Sequence, residues 1–315
     1  MKDHGLVQLS ESAYALVNSE DDSLSAGFGS NQGIVILESS VLVFDSGFNM
    51  NQTKSLQDTI ASLTKKPVKY VINSHDHSDH VFGNYAFVAN SDIPEDSANS
   101  NSQIMIFAHE ICRQNMARNS EKRMKQYSEA HDPNGLLFGG LKEIALPNFT
   151  YVDNSIRIRL EGKEMCLFHP PTGAHTLGDT LLAVPDEKVL FAGDTIWNGF
   201  YPNLEDSNLE GWISLLGDLD LKTYQVSVPG HGKVCSPTQV REFHDYLIGV
   251  RRRILDLYER IQGGQTADIQ QGTSMFGANV SEEEKRECFI LPGTEAWKFR
   301  PIVDSNVRSL FGTPI

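Results

Sequence analysis

The chain has 315 residues, enough for one large α/β domain with a substantial core or for two smaller ones. Hydrophobic residues make up 40% and charged residues 22%, the balance of a globular protein that folds in water. Twenty-seven Lys and Arg stand against 41 Asp and Glu, a net charge of −14 whose field repels phosphate backbones and excludes general nucleic-acid binding.

From Ser12 to Asp45 the pattern is β. Tyr14-Ala15-Leu16-Val17, Gly33 to Leu37 and Val41-Leu42-Val43-Phe44 are short apolar runs separated by Ser, Gly and Asn clusters. The acidic, Gly-rich loop between the first two runs is tipped by Phe28, a candidate lid. Gln52 to Leu63 places Leu56, Ile60 and Leu63 on one helical face. It leads into Val68-Lys69-Tyr70-Val71-Ile72, a β-branched and aromatic strand.

Directly after that strand comes His75-Asp76-His77-Ser78-Asp79-His80, three imidazoles and two carboxylates in six residues. Catalytic groups gather on the loops that leave such strands. Neutral nitrogen mixed with anionic oxygen suits zinc, and suits iron or manganese where carboxylate takes a larger share.

Asn90 to Ser102 is polar and reads as an exposed insertion. Ile104 to Phe107 is a further strand, and Glu110 to Glu129 a charged amphipathic helix. His109 at its start and His131 after it have no ligand neighbours at useful spacing, so solvation or capping is expected of both. The Pro133 to Gly140 stretch is a second candidate lid.

The β theme then returns in Ile156 to Leu160, Glu164 to Phe168, Thr180 to Val184 and Val189 to Ala192. A helix with Leu209, Trp212, Ile213, Leu215 and Leu216 follows, then the strand Tyr224 to Val228. Val240, Phe243, Tyr246, Leu247, Val250, Ile254, Leu257 and Ile261 recur at the spacing of one long amphipathic helix. Two β-rich halves, each with helices, predict an α/β sandwich with sheets inside. One domain spanning 1–315 is expected, with its core at about 13–262 and a helical extension at about 263–315 that packs on the core or on a second copy in a homo-oligomer.

Three later segments each place one strong ligand on a small-residue turn at a strand end. They are Thr172-Gly173-Ala174-His175, Phe191-Ala192-Gly193-Asp194 and Val228-Pro229-Gly230-His231-Gly232. Small residues let backbone approach a crowded centre.

With these residues the chain resembles the metallo-β-lactamase superfamily over about Ala13 to Val234. The resemblance implies the four-layer αββα fold and a dinuclear centre holding two zinc ions. His75, His77 and His175 would take the first metal, Asp79, His80 and His231 the second, with Asp194 bridging. An Asp at 194 looks like the glyoxalase II and lactonase pattern, whereas secreted lactamases usually carry Cys or Ser there. One lactamase class has a Lys three residues further on, where this chain has Trp197, leaving Lys233 as an anion anchor. Val81-Phe82-Gly83-Asn84 replaces the Gly-Gly that usually follows the hexapeptide in glyoxalase II, so a glutathione thioester is not the obvious substrate.

The implied chemistry is hydrolysis. Water between two divalent cations ionises near neutral pH, its pKa falling toward about 7. Asp79 would orient the resulting nucleophile and pass a proton to the leaving group. Asp45 and Asp179 are candidates to accept N–H from ligating imidazoles. Trp197, Phe200 and Tyr201 are candidates for an apolar wall, with the Tyr201 hydroxyl near a developing oxyanion.

The expected partner is therefore a small molecule: a lactone, ester, thioester or β-lactam. The rival readings are a mononuclear-iron persulfide dioxygenase of the same superfamily, a promiscuous β-lactamase and a metal-binding scaffold without catalysis. The four cysteines, Cys112, Cys166, Cys235 and Cys288, lie far apart and read as free thiols. Met1 to Gly5 carry no apolar export core and no run is long enough to span a bilayer, so no membrane partner and a cytoplasmic location are expected.

Overall fold

The computed structural model describes residues 5–18, 29–89, 104–132, 134–135, 144–262, 280–298 and 301–311. The 90–103 insertion, Phe28 and all of the 133–140 stretch except Asn134 and Gly135 lie outside them.

The first sheet has seven strands in chain order: β1 (Leu6–Gln8), β2 (Ala13–Leu16), β3 (Gln32–Ile36), β4 (Val41–Phe44), β5 (Val68–Ile72), β6 (Met105–His109) and β7 (Phe149–Tyr151). Its neighbours are antiparallel up to β4 and parallel from β4 to β7. Parallel neighbours require crossovers. Two are the helices α1 (Met50–Leu63) and α4 (Glu110–His131), and the short helices α2 (Ser78–Val81) and α3 (Asn84–Ala89) lie between β5 and β6.

The second sheet contains β8 (Ser155–Leu160), β9 (Lys163–Phe168), β10 (Leu181–Val184), β11 (Val189–Asn198) and β12 (Val226–Gly232), in the spatial order β12-β11-β10-β9-β8. Only β11 and β12 are parallel within it, joined through α5 (Leu209–Asp218). Helices α6 (Pro237–Gln262), α7 (Glu282–Glu287) and α8 (Pro301–Phe311) complete the described chain.

Strand alternation decides which layer each residue joins. Val35, Leu42, Phe44, Ile72 and Phe107 meet Met165, Leu167, Leu182, Val184, Val189 and Phe191 between the sheets. The intervening residues turn outward. Ile34, Val43, Val71 and Ile106 pack under Leu56 and Ile60 of α1, while Leu181, Ala183, Leu190 and Ala192 pack under Trp212, Phe243 and Leu247 of α5 and α6. This is the four-layer αββα sandwich. The sheets approach closely at Phe191, whose ring lies 5.7 Å from that of Phe44. A Cβ at Gly33 would press into the Phe191 ring, so that position has room only for hydrogen.

Phe289 next to α7, and Val303, Val307 and Phe311 of α8, join the core beneath α6. Among the described residues, no helix is long and apolar enough to cross a membrane.

Several strands depart from the sequence expectation: β1 and β7 lie where no strand is expected, β12 runs on past Val228 to Gly232, and the change in β11 bears most on the site. β11 does not end at Asp194 but runs on to Asn198, with register shifts against β12 between Phe191 and Gly193 and between Gly193 and Trp197. Gly193 takes φ +52°, a left-handed conformation that suits glycine and lets the strand kink without breaking. The irregularity turns Asp194 toward the end of the sandwich.

Candidate metal centre

The hexapeptide caps the end of β5. His75 and His77 lie in the turn that follows, and α2 carries Asp79 and His80. The opposite sheet supplies the rest: His175 from the turn before β10, Asp194 from the kinked part of β11 and His231 from the end of β12. These seven side chains form two groups that could each hold a cation. One is His75, His77, His175 and Asp194; the other is Asp79, His80 and His231.

Asp194 lies between the groups. Its Oδ2 is 3.4 Å from His175 Nε2 and 3.9 Å from His75 Nε2, while Oδ1 is 3.1 Å from His80 Nε2 and 3.5 Å from His231 Nε2. His77 turns Nδ1 inward, 3.0 Å from His175 Nε2. Asp79 Oδ2 is 3.2 Å from His231 Nε2 and 3.4 Å from His80 Nε2.

The donor set fits metal. His75 Nε2 is buried without a hydrogen-bond partner, and His80 Nε2 and Asp194 Oδ1, although 3.1 Å apart, make no well-directed hydrogen bond to each other or to anything else. Orphaned polar atoms cost about 1–3 kcal/mol each, and three on one focus would be satisfied together by bound cations.

Residues 26–231 match the family model of the metallo-β-lactamase superfamily, about two thirds of the chain. The chain belongs to this superfamily.

Two curated relatives are similar to the chain. A linear primary-alkylsulfatase from Pseudomonas sp. (strain ATCC 19151) is 22% identical over 222 residues, covering 62% of this chain and 40% of that protein. The 2,4-dinitroanisole O-demethylase subunit alpha from Nocardioides sp. (strain JS1661) is 27% identical over 201 residues, 62% of this chain and 50% of that one. The chain thus matches half or less of each relative's length. Among solved structures, a metallo-β-lactamase from Pontibacter korlensis is 18% identical with a TM-score of 0.59, over 77% of this chain and 98% of that one. The DIM-1 metallo-β-lactamase is 16% identical with a TM-score of 0.56, over 77% and 96%. At these identities the two structures share the superfamily fold.

Electrostatics divide the candidate ligands in two. Burial, reinforced by the neighbouring imidazoles, holds His75 well below the usual histidine range, and burial with His77 and His80 takes His175 down to about 3. Both are neutral nitrogen donors. In the other group burial is overruled. Asp194 and Asp79 raise His231 to about 9, and Asp79, Asp194 and Asp45 hold His80 well above its usual value. Burial would likewise raise Asp79 and Asp194, but His80 and His231 keep both carboxyls below the usual carboxylate range. A cation arriving there displaces protons from imidazole.

Outer hydrogen bonds orient four of the five imidazoles. His80 Nδ1 meets Asp45 Oδ2 at 2.8 Å, and His75 Nδ1 meets Ser74 Oγ at 2.9 Å. Ser74 in turn donates its N–H and hydroxyl to Asp45, both at 2.7 Å. His77 Nε2 meets Asp206 Oδ2 at 3.1 Å, and His175 Nδ1 meets the Asn203 carbonyl at 3.1 Å. Such bonds fix which nitrogen would be left free for a metal. Arg123 of α4 ties this shell to the hexapeptide. It donates to the Asp76 carboxylate at 2.8 Å and carbonyl at 2.9 Å, and lies 3.7 Å from Asp206.

Asp45 thus reaches an imidazole of the candidate centre, whereas Asp179 does not. Its carboxylate accepts from the N–H of Thr176 at 2.9 Å and from its hydroxyl at 2.7 Å, folding back on its own turn, where burial pushes its pKa up to about 7. Short Asp side chains readily cap local backbone in this way. Tyr201 is also displaced from its expected role. It is fully buried, its hydroxyl donates to the Thr294 carbonyl at 2.8 Å, and its ring packs by Trp297 and Tyr246. The extension of β11 carries Tyr201 past the metal centre and into contact with the C-terminal segment.

Trp197 is buried against the ligands instead of lining an open wall. Phe200 lies 6.3 Å from His231, with the Lys298 ammonium 5.8 Å from its ring centre. Lys233 is exposed, and its carbonyl accepts from Asn198 Nδ2 at 3.0 Å. His109 caps α4 as expected, accepting from Ile111 N–H at 3.4 Å.

Sequence reasoning missed Asp206, Asn203, Arg123 and Ser74. Ser74 was detectable from its adjacency to the hexapeptide. The other three come from a polar loop and a charged helix face with no distinguishing pattern.

Proposed function

We propose that the chain is a dinuclear hydrolase that binds two zinc ions and cleaves a small carbonyl compound: a lactone, ester, thioester or β-lactam. The observation that carries this reading is the division of Asp194, one carboxylate oxygen toward each ligand group. Cations bound there would acidify water and polarise the scissile bond.

The protein's own part is positioning and proton handling. Asp194 is almost closed to solvent, with a side chain 4% exposed, whereas Asp79 is 19% exposed and His77 and His231 are each 15% exposed. Substrate would approach across that open side, where Asp79 is the carboxylate placed to accept a hydrogen bond from the nucleophile and, once a cation displaces the imidazole protons that depress it, to relay a proton to a leaving group. Asp45, Ser74, Asp206 and the Asn203 carbonyl keep the imidazoles aligned while this happens.

The two curated relatives favour a second reading, in which the bond cleaved is that of an alkyl sulfate or a nitroaryl methyl ether. Metal analysis of the reconstituted protein, followed by turnover on a panel of both substrate sets, tests the proposal. About two zinc per chain with carbonyl hydrolysis is the expected result. Turnover of only the sulfate or ether selects the second reading. A single iron with oxygen uptake on glutathione persulfide overturns both and makes the chain a dioxygenase. Asp79→Ala should abolish turnover while reducing metal content only in part, which separates an enzyme from a metal-binding scaffold.

A further inference from the structure

Four of the five imidazoles in the centre have an outer polar partner, and His231 has none among the described residues. Its ring is held by Trp197, whose indole lies face to face with it, centroids 4.4 Å apart and planes 24° from parallel. The second register shift along β11 makes the two residues direct partners across the β11/β12 pair. The same indole donates its N–H to the Asp194 carbonyl at 2.7 Å. Trp197 is 4% exposed, so it is packed against ligands and not offered to substrate.

We propose that Trp197 is the positioning residue of the Asp79, His80 and His231 group, taking the place of a hydrogen bond with a stacked indole. The indole face fixes the plane of His231, while its N–H engages only the backbone carbonyl of Asp194 and leaves that carboxylate to its own contacts. The inference rests on the two-metal reading above. The physical reason is the indole's electron-rich face. An imidazole that donates to a cation becomes electron-poor, and stacking on indole favours that form over free imidazole. A hydrogen bond would hold the ring through one edge and choose its tautomer. The stack holds the plane and leaves the outer nitrogen unassigned. Phe200, at 6.3 Å and 45°, adds a second aromatic neighbour without a stacked face.

The test is stepwise metal affinity, measured by chelator competition on wild type, Trp197→Leu and Trp197→Phe, with cadmium-113 NMR to assign each step to a ligand group. Losing an outer partner of a ligating histidine typically weakens metal binding about 10–100-fold. Trp197→Leu is expected to lose affinity in that range at the His231 group alone, leaving the His75, His77 and His175 group as in wild type. Trp197→Phe keeps a ring on His231 but cannot donate to Asp194, and is expected to recover most of the loss. Should Trp197→Leu fail to fold, Trp197→Phe still decides, since a loss at the His231 group as large as that of an Ala variant of His231 sinks the stacking argument. Equal weakening of both steps in Trp197→Leu would mark a general structural role and overturns the proposal, as do unchanged affinities, while the two-metal reading stands. A single metal per wild-type chain overturns both.

Discussion

Asp45 and His80 form a fully buried pair, carboxylate against ring nitrogen at 2.8 Å, in which neither side chain touches water. Asp45 holds this position from a left-handed backbone, φ +62°, which Asp and Asn adopt more readily than other non-glycine residues. Its partner nitrogen is the one turned away from the ligand focus, so the carboxylate sets which face of His80 is free.

Asp45→Asn keeps the backbone conformation and the shape but removes the charge that selects the His80 tautomer. Metal affinity is expected to fall about 10–100-fold with the circular dichroism spectrum unchanged. Chelator competition checks it, and an unaltered affinity would show that His80 is oriented by packing alone.

Gly230 lies against Asp194, and a Cβ there would overlap Asp194 Oδ1. Gly230→Ala should therefore displace the Asp194 carboxylate, with loss of metal and a rate decrease of about 100-fold or more on the proposed reading, since displacements of 1 Å have that effect on reacting geometry. Metal content and turnover measured on the same folded sample decide it.

Arg123 and Asp76 make an ion pair whose acid is almost closed to solvent, 3% exposed against 23% for the arginine. Arg123→Met leaves that carboxylate without its cation and is expected to cost about 3 kcal/mol. Adding Asp76→Asn should recover part of the loss, because the stranded charge is then gone. Urea unfolding of the two single variants and the double variant measures the coupling; additive losses would contradict it.

His109 and His169 stack with ring centres 3.6 Å apart and planes within 6°. Burial, and the adjacent imidazole in the case of His109, depress both pKa values, that of His109 to about 4. The folded state then binds fewer protons than the unfolded chain below the usual pKa of about 6.5. Their contribution to stability is complete above about pH 6.5 and is lost as pH falls toward about 4. His109→Asn retains a capping acceptor for α4 but does not titrate. Its urea midpoint should fall less steeply between those pH values than that of the wild type, and parallel curves would refute the assignment.

How much of this was legible in the sequence depends on whether the signal is local. Most of the strands, the long α6 and the seven candidate ligands carry residue types and spacings that survive without the fold, and the candidates do converge, whereas the three-residue β1 and β7 carry no such signal. Trp197 and Tyr201 were legible as aromatic but not in direction, because the kink at Gly193 and the register shifts of β11 reset which face each one takes. Asp179 and Asp45 look alike in sequence. One carboxylate closes on its own turn at Thr176 and the other reaches His80, a difference made by a left-handed residue at 45 and by helix α2, which carries His80 35 positions further along the chain. Asp206 had no signal at all, since an aspartate in the Asn203-Leu204-Glu205-Asp206 loop looks like any solvated acid.

Neither ligand group is complete within one half of the sandwich. The first joins His75 and His77 to His175 and Asp194, and the second joins Asp79 and His80 to His231. A nascent chain that has emerged only as far as β10 therefore owns neither set, and no fragment ending before residue 231 can hold the pair. On the two-metal reading, complete sites would therefore form late in maturation, after both sheets are made and docked, and a backbone nick that lets the sheets part would break both groups together.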